Sequence, residues 1–221
     1  MHQFITDAVT AILTVSLVLS AGCATNPVTG KTELSLVSES REIDIGAEQF
    51  APAQQVQGGQ YRLDPGLTRY VDQVGQRLAA VSDRQLPYEF VVLNHSTPNA
   101  CALPGGKIAV NRGLLMELDN EAELAAVLGH EIVHAAARHG AKSMERGMLL
   151  QGAIIATALA TSEHKHANYI VQGAALGAQL ASQKYGRDAE RESDYYGMRY
   201  MAKAGYDPAA AIGLQETFVR L

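Results

Sequence analysis

Residues Val127 to Gly140 read VLGHEIVHAAARHG, three histidines and one glutamate inside an otherwise apolar helical pattern. Residues four apart share one face of a helix. His130 and His134 therefore stand on adjacent turns, where two imidazoles can converge on one zinc ion. Glu131, about 100° round from His130, flanks the remaining coordination position and could hold a water there and take its proton. The bland alternative for a His-Glu-x-x-His stretch is a pair of surface or core histidines. Metzincin proteases find a third ligand in a histidine six residues after the second, with a glycine between. Here the interval from His134 to His139 is five residues and Ala137 stands where that glycine would be. If the helix runs on to Gly140, His139 lies about 180° round from His130 and points away. The third ligand must come from elsewhere.

A second stretch, YGRDAERESDYYGMRYMAKAGYDP, can supply it. Glu190 and Asp194 are four apart and share a helix face, so Glu190 can reach a metal while Asp194 accepts a hydrogen bond from a ligating imidazole and fixes its tautomer. The competing reading is a solvated charged face. Tyr185, Tyr195, Tyr196 and His139 are candidates for a second group that assists the reaction. Together the two helices predict hydrolysis with one Zn2+ per chain, His130, His134 and Glu190 as ligands and Glu131 as general base. A rival class is a chaperone-like lipoprotein with a structural zinc site, which would not need Glu131. A third is a membrane-embedded protease.

The elements that must position these residues can be read from patterning. The chain has 221 residues, 47% hydrophobic and 19% charged, which fits one globular domain with appendages. A formal charge of −5 and the lack of a basic run argue against a nucleic-acid partner. Ser38 to Phe50 reads as a short amphipathic helix and AQQVQGGQ as the loop after it. Asp64-Pro65 opens a helix with an apolar stripe to about Val81. YEFVVLN and KIAVN read as strands. Asp119 or Asn120 caps the histidine-bearing helix and Gly140 ends it. The Ala- and Gly-rich stretches between Met148 and Ser182 are shorter than the roughly 20 residues of a bilayer crossing and are expected as packed helices of the domain, with an interfacial hairpin as the alternative. His164 and His166, between them, are expected in a solvated loop. Gly205 should stop the last helix of the site.

The N-terminus carries an apolar run from Ala8 to Leu19, then Ser20, Ala21, Gly22 and Cys23. That order suits a lipoprotein signal over residues 1–22 with Cys23 lipidated, although the run has no Lys or Arg before it. Residues 23–60 are expected as a tether and N-terminal helix, and 61–221 as the catalytic domain. With Cys23 lipidated, Cys101 has no disulfide partner and is expected as a small strand residue.

HEIVHAAARHG, RDAERESDYYGMRYMAKAGYDP, NACALPGGKIAVNRGLL and NPVTGKTELSLVSESRE, in combination, resemble the gluzincin peptidases of the HtpX and CAAX prenyl protease group, in their exported lipoprotein branch. The resemblance covers residues 23 to 221. It implies an α+β, predominantly helical fold of zincin type, with a small sheet whose edge strand lies over the active-site helix. It puts the ligand at Glu190, with Arg187 before it and Asp194 after, and makes Glu192 a neighbour and no ligand. Asn99, Ala100, Cys101, Ala102 and Leu103 become the substrate-facing edge strand, with Cys101 where the family usually has an aromatic residue. The implied activity is endopeptidase cleavage of unfolded or misassembled envelope proteins on the periplasmic side, with the chain held at a membrane by lipid on Cys23. The family pattern continues past Leu221 with a further helix and a Thr-His-Pro segment, which implies either that the C-terminal part is truncated here or that the enzyme does without it. Nothing in these patterns speaks to oligomeric state.

Overall fold

A computed structural model describes residues 22–162 and 164–220, the side chain of Tyr185 excepted. Apart from Gly22, the expected signal segment lies outside the described residues.

The chain enters through a small antiparallel hairpin, β1 (Cys23–Thr25) and β2 (Thr32–Leu34). This stretch, expected as a tether, is docked instead. Val28 at its turn joins the main core, Asn26 is buried, and Glu33 pairs with Lys142. Helix α1 (Glu39–Val56) starts at the Ser38 cap and continues through Pro52 well past Phe50, shortening the expected loop. Helix α2 (Pro65–Ala79) begins as the sequence indicates: the Asp64 carboxylate accepts from the Gly66 and Leu67 N–H groups at 2.8 and 3.3 Å, and Pro65 occupies the first turn, where no N–H is needed.

Three strands form the central sheet. β3 (Glu89–Leu93) runs parallel to β5 (Lys107–Asn111), and β4 (Ala100–Leu103) runs antiparallel to β5 on its other side. Side chains alternate between faces. Phe90, Val92, Ile108 and Val110 meet Val71, Val74 and Leu78 of α2 in the main core, while Val91, Leu93 and Ala109 meet Phe50 of α1. Because both faces are covered, β3 reads as an unbroken apolar run. One outer edge of the sheet is occupied, since Tyr61 donates to the Val92 carbonyl at 2.8 Å and Asn94 to the Gly59 carbonyl at 2.9 Å. The edge left open among the described residues belongs to β4.

After the short α3 (Arg112–Leu115), α4 (Glu121–Ala136) carries the histidines through the core. Asn120 is the cap: its Oδ1 accepts from the Glu123 N–H at 3.0 Å, and the Glu123 carboxylate accepts from the Asp119 N–H at 2.9 Å. The helix stops four residues before Gly140. Arg138 adopts a left-handed conformation, φ 63°, and α5 (His139–Ala160) begins directly after it. Such a backbone costs a non-glycine residue about 1–2 kcal/mol. Here the Arg138 side chain offsets that cost, donating to Glu42 Oε2 at 2.8 Å and to Ser35 and Val37 as well.

The Ala- and Gly-rich region is a hairpin of α5 and α6 (Ala167–Lys203), the latter continuous with the expected second site helix and stopped at Gly205, φ 87°. The expectation that these stretches pack into the domain needs correction. No described residue between 146 and 192 is buried, and Met148, Ile155, Leu159, Tyr169, Leu176 and Leu180 are exposed. Small side chains give the two helices a surface for each other and little to insert elsewhere. His164 and His166 sit exposed in the connection. No helix among the described residues is long and apolar enough to cross a membrane. α7 (Ala210–Arg220) closes the chain against α4, with Leu214 in the core.

Candidate active site

Two glycines determine how the helices of the site meet. A Cβ on Gly197 would lie 3.0 Å from the backbone nitrogen of His130, and one on Gly129 would lie 3.1 Å from the Gly197 carbonyl oxygen, so α4 and α6 cross backbone against backbone. The crossing brings Asp194 and Glu190, one and two turns earlier on α6, over the histidines. His130 and His134 turn their Nε2 atoms toward each other, 3.0 Å apart, and Glu190 oxygens lie 3.3 Å from the first and 3.6 Å from the second. Around a tetrahedral zinc with bonds of about 2.0–2.1 Å, neighbouring donors stand about 3.3–3.4 Å apart. The donor set and its spacing fit a divalent cation, and all three ligand atoms lie within 4.8 Å of one another.

The surroundings settle which nitrogen is which. His130 Nδ1 lies 2.9 Å from Asp194 Oδ1. The carboxylate accepts, so Nδ1 carries the proton and Nε2 keeps its lone pair for a metal. Burial first, with His130 and His139 beside it, pushes His134 down to about 3, which keeps its ring neutral.

Glu131 points out of the ligand face, toward β4, where the Ala102 N–H donates to its carboxylate. Burial raises its carboxyl to about 7, with the neighbouring Glu190 also raising it and His130 opposing. A group so poised can both take and return a proton near neutrality. Above it, the Asn111 N–H donates to the Asn99 carbonyl at 2.9 Å. By the antiparallel alternation, Asn99, Cys101 and Leu103 turn their backbone groups to β5, and Ala100 and Ala102 turn theirs to the open side. The Cys101 and Leu103 side chains face the Phe50 cluster, and burial, then the charge of Glu131, pushes the Cys101 thiol up. Beside the donors runs a cleft of about 700 Å³, its apolar flank formed by Leu114, Val127, Met198, Met201, Leu214 and Phe218.

Three expectations fare differently. Arg187 is exposed and makes no hydrogen bond or ion pair among the described residues. Tyr195 and Tyr196 stack edge to face on each other and do not line the cleft, while the Tyr185 side chain lies outside what is described. His139 does not point away. Its Nδ1 lies 3.0 Å from His134 Nδ1, and its Nε2 lies 3.1 Å from Glu192 Oε1. The 180° reckoning assumed one helix to Gly140, and the break at Arg138 voids it.

The model of peptidase family M48 matches residues 65–220. The chain belongs to peptidase family M48. A beta-barrel assembly-enhancing protease of Yersinia pestis is 33% identical over 153 residues, 66% of this chain and 32% of that protein. Its namesake from Escherichia coli K12 is 30% identical over 153 residues, 66% and 31% of the two chains. The mitochondrial metalloendopeptidase OMA1 of Schizosaccharomyces pombe is 35% identical over 150 residues, 67% and 43%. The chain spans about a third of the length of the bacterial relatives it matches.

The M48 match takes in every donor described above and excludes β1, β2 and α1. Sequence reasoning missed what those excluded elements bring to the M48 site. Glu42 is fully buried between Arg84 and Arg138, at 2.9 and 2.8 Å, and Asn26 bonds Glu192. A signal for the first was available: Glu42, Gly46 and Phe50 recur at intervals of four, which puts a carboxylate on the buried stripe of α1.

Proposed function

We propose that the chain is a zinc-dependent endopeptidase that cleaves unfolded or misassembled proteins of the bacterial cell envelope. The observation that carries this reading is the placement of a half-buried carboxylate, Glu131, between three converging candidate metal donors and a sheet edge that is open among the described residues. His130 and His134, through Nε2, and Glu190 would hold the ion. Asp194 orients His130. Zinc supplies Lewis acidity to such a site, polarising a peptide carbonyl and acidifying water beside it. An extended substrate lies along β4 and pairs with the outward N–H and C=O groups of Ala100 and with the C=O of Ala102, whose N–H is turned to Glu131, a mode of binding that reads backbone more than sequence and suits unfolded clients. The pairing holds the scissile carbonyl over Glu131, which takes the proton from the attacking water and delivers it to the leaving amine.

The envelope assignment draws support from the names of the bacterial relatives, which refer to β-barrel assembly. Periplasmic location and a lipid anchor at Cys23, exposed at the start of β1, belong to the same proposal. Palmitate labelling of the expressed chain is expected and should vanish in Cys23→Ser; unchanged labelling would contradict the anchor. For the metal, the purified chain is expected to hold one zinc and to degrade casein, both lost on chelation. Glu190→Ala should lose both as well. Full zinc and full cleavage in that variant would overturn the ligand set.

A further inference from the structure

We propose that His139 is a positioning residue for the metal ligand His134, and that the left-handed turn at Arg138 exists to put it there. The inference rests on the metal-site reading above and adds to it. His134 can offer Nε2 to a metal only if its proton is on Nδ1. That Nδ1 lies 3.0 Å from Nδ1 of His139, so His139 must present a lone pair there and carry its own proton on Nε2. Nε2 of His139 lies 3.1 Å from the Glu192 carboxylate, which accepts that proton and fixes the tautomer. Each ring then has one donor and one acceptor along the chain His134 to His139 to Glu192, and the Ser193 hydroxyl, 3.4 Å from the same Nδ1 of His139, is a second and longer donor to it. It parallels the direct bond from His130 to Asp194, with an imidazole interposed.

The placement depends on the helix break. His139 follows His134 by five residues and would miss it on a continuous helix. Arg138, the one non-glycine residue with positive φ among those described, restarts the chain so that His139 folds back on the preceding turn. Its guanidinium is held by Glu42, Ser35 and Val37, and the Leu36 and Val37 N–H groups donate to Glu145 at 2.9 and 2.8 Å. Residues 35–42, outside the M48 match, thereby set the back of the metal site. Asn26, whose amide donates to Glu33 at 3.3 Å, lies beside Glu192 on the same side.

Two substitutions of similar size separate positioning from packing. Asn places Oδ1 where Nδ1 of His139 sits and keeps an acceptor for His134; Gln extends toward Glu192 and leaves that spot without one. Zinc affinity, measured by chelator competition on the purified chain, should stay within about threefold of wild type in His139→Asn and fall about 10- to 100-fold in His139→Gln. Nitrogen-15 spectra of the metal-free chain should report the Nδ1–H tautomer at His134 in the wild type and in the Asn variant, and its loss in the Gln variant. Equal zinc affinity in the two variants, or an unchanged His134 tautomer in His139→Gln, would overturn the proposal. A wild-type chain that binds no zinc would instead refute the metal-site reading beneath it.

Discussion

Glu131 and Glu190 are both carboxylates of the same cleft, and their surroundings give them different tasks. Glu190 is 61% exposed at its side chain, whereas Glu131 is half-buried against Ala102 and has its carboxyl raised to about 7, chiefly by desolvation. Asp194 does neither. It touches Nδ1 of His130, and in the proposed mechanism it would act through that ring. Asp194→Ala is therefore expected to leave the fold intact and weaken zinc binding about 10- to 100-fold, less than loss of Glu190, in a chelator competition run on both variants. Equal losses in the two would mean that Asp194 is itself a ligand. His130, His134, Glu190 and Asp194 were legible in the sequence because an interval of four residues needs only a helix to become a shared face. His139 was not, because its angle depends on whether the helix continues, and the residue that stops it is an arginine with no propensity for doing so.

Elements with strong local signals matched their expectations: α2 with its Asp64-Pro65 start, β3 and β5 with their apolar runs, and the stop of α6 at Gly205. The differences arise where distant partners decide. α1 runs on through Pro52, the segment from Cys23 to Leu34 pairs with itself and docks, and α4 ends at Ala136 because Arg138 is held by Glu42. That last contact belongs to a buried ion cluster, in which Glu42 is fully buried and Arg84 and Arg138 are nearly so. Removing one partner of such a cluster leaves uncompensated charge in the interior. Glu42→Ala should lower stability to urea by about 3–5 kcal/mol. A loss below about 1 kcal/mol would mean that the cluster behaves as a surface pair and does not hold the turn.

At the scale of the molecule, one covered sheet edge and one edge open among the described residues give the cleft its direction. Segment 59–61 closes β3, β4 stays free, and the helices below bring the donors to the free side. The α5–α6 hairpin extends from this body with its apolar side chains exposed, which composition alone could not foretell, since Ala- and Gly-rich helices satisfy a packed and a projecting arrangement equally. In the proposed mechanism Glu131 acts as a base beside a metal it does not hold. Glu131→Gln preserves size and hydrogen bonding but cannot accept a proton. The decisive measurement is casein cleavage by the purified Glu131→Gln chain with its zinc content determined on the same sample. A folded, fully zinc-loaded protein slowed by roughly a hundredfold or more is expected. Near wild-type cleavage with zinc in place would contradict it.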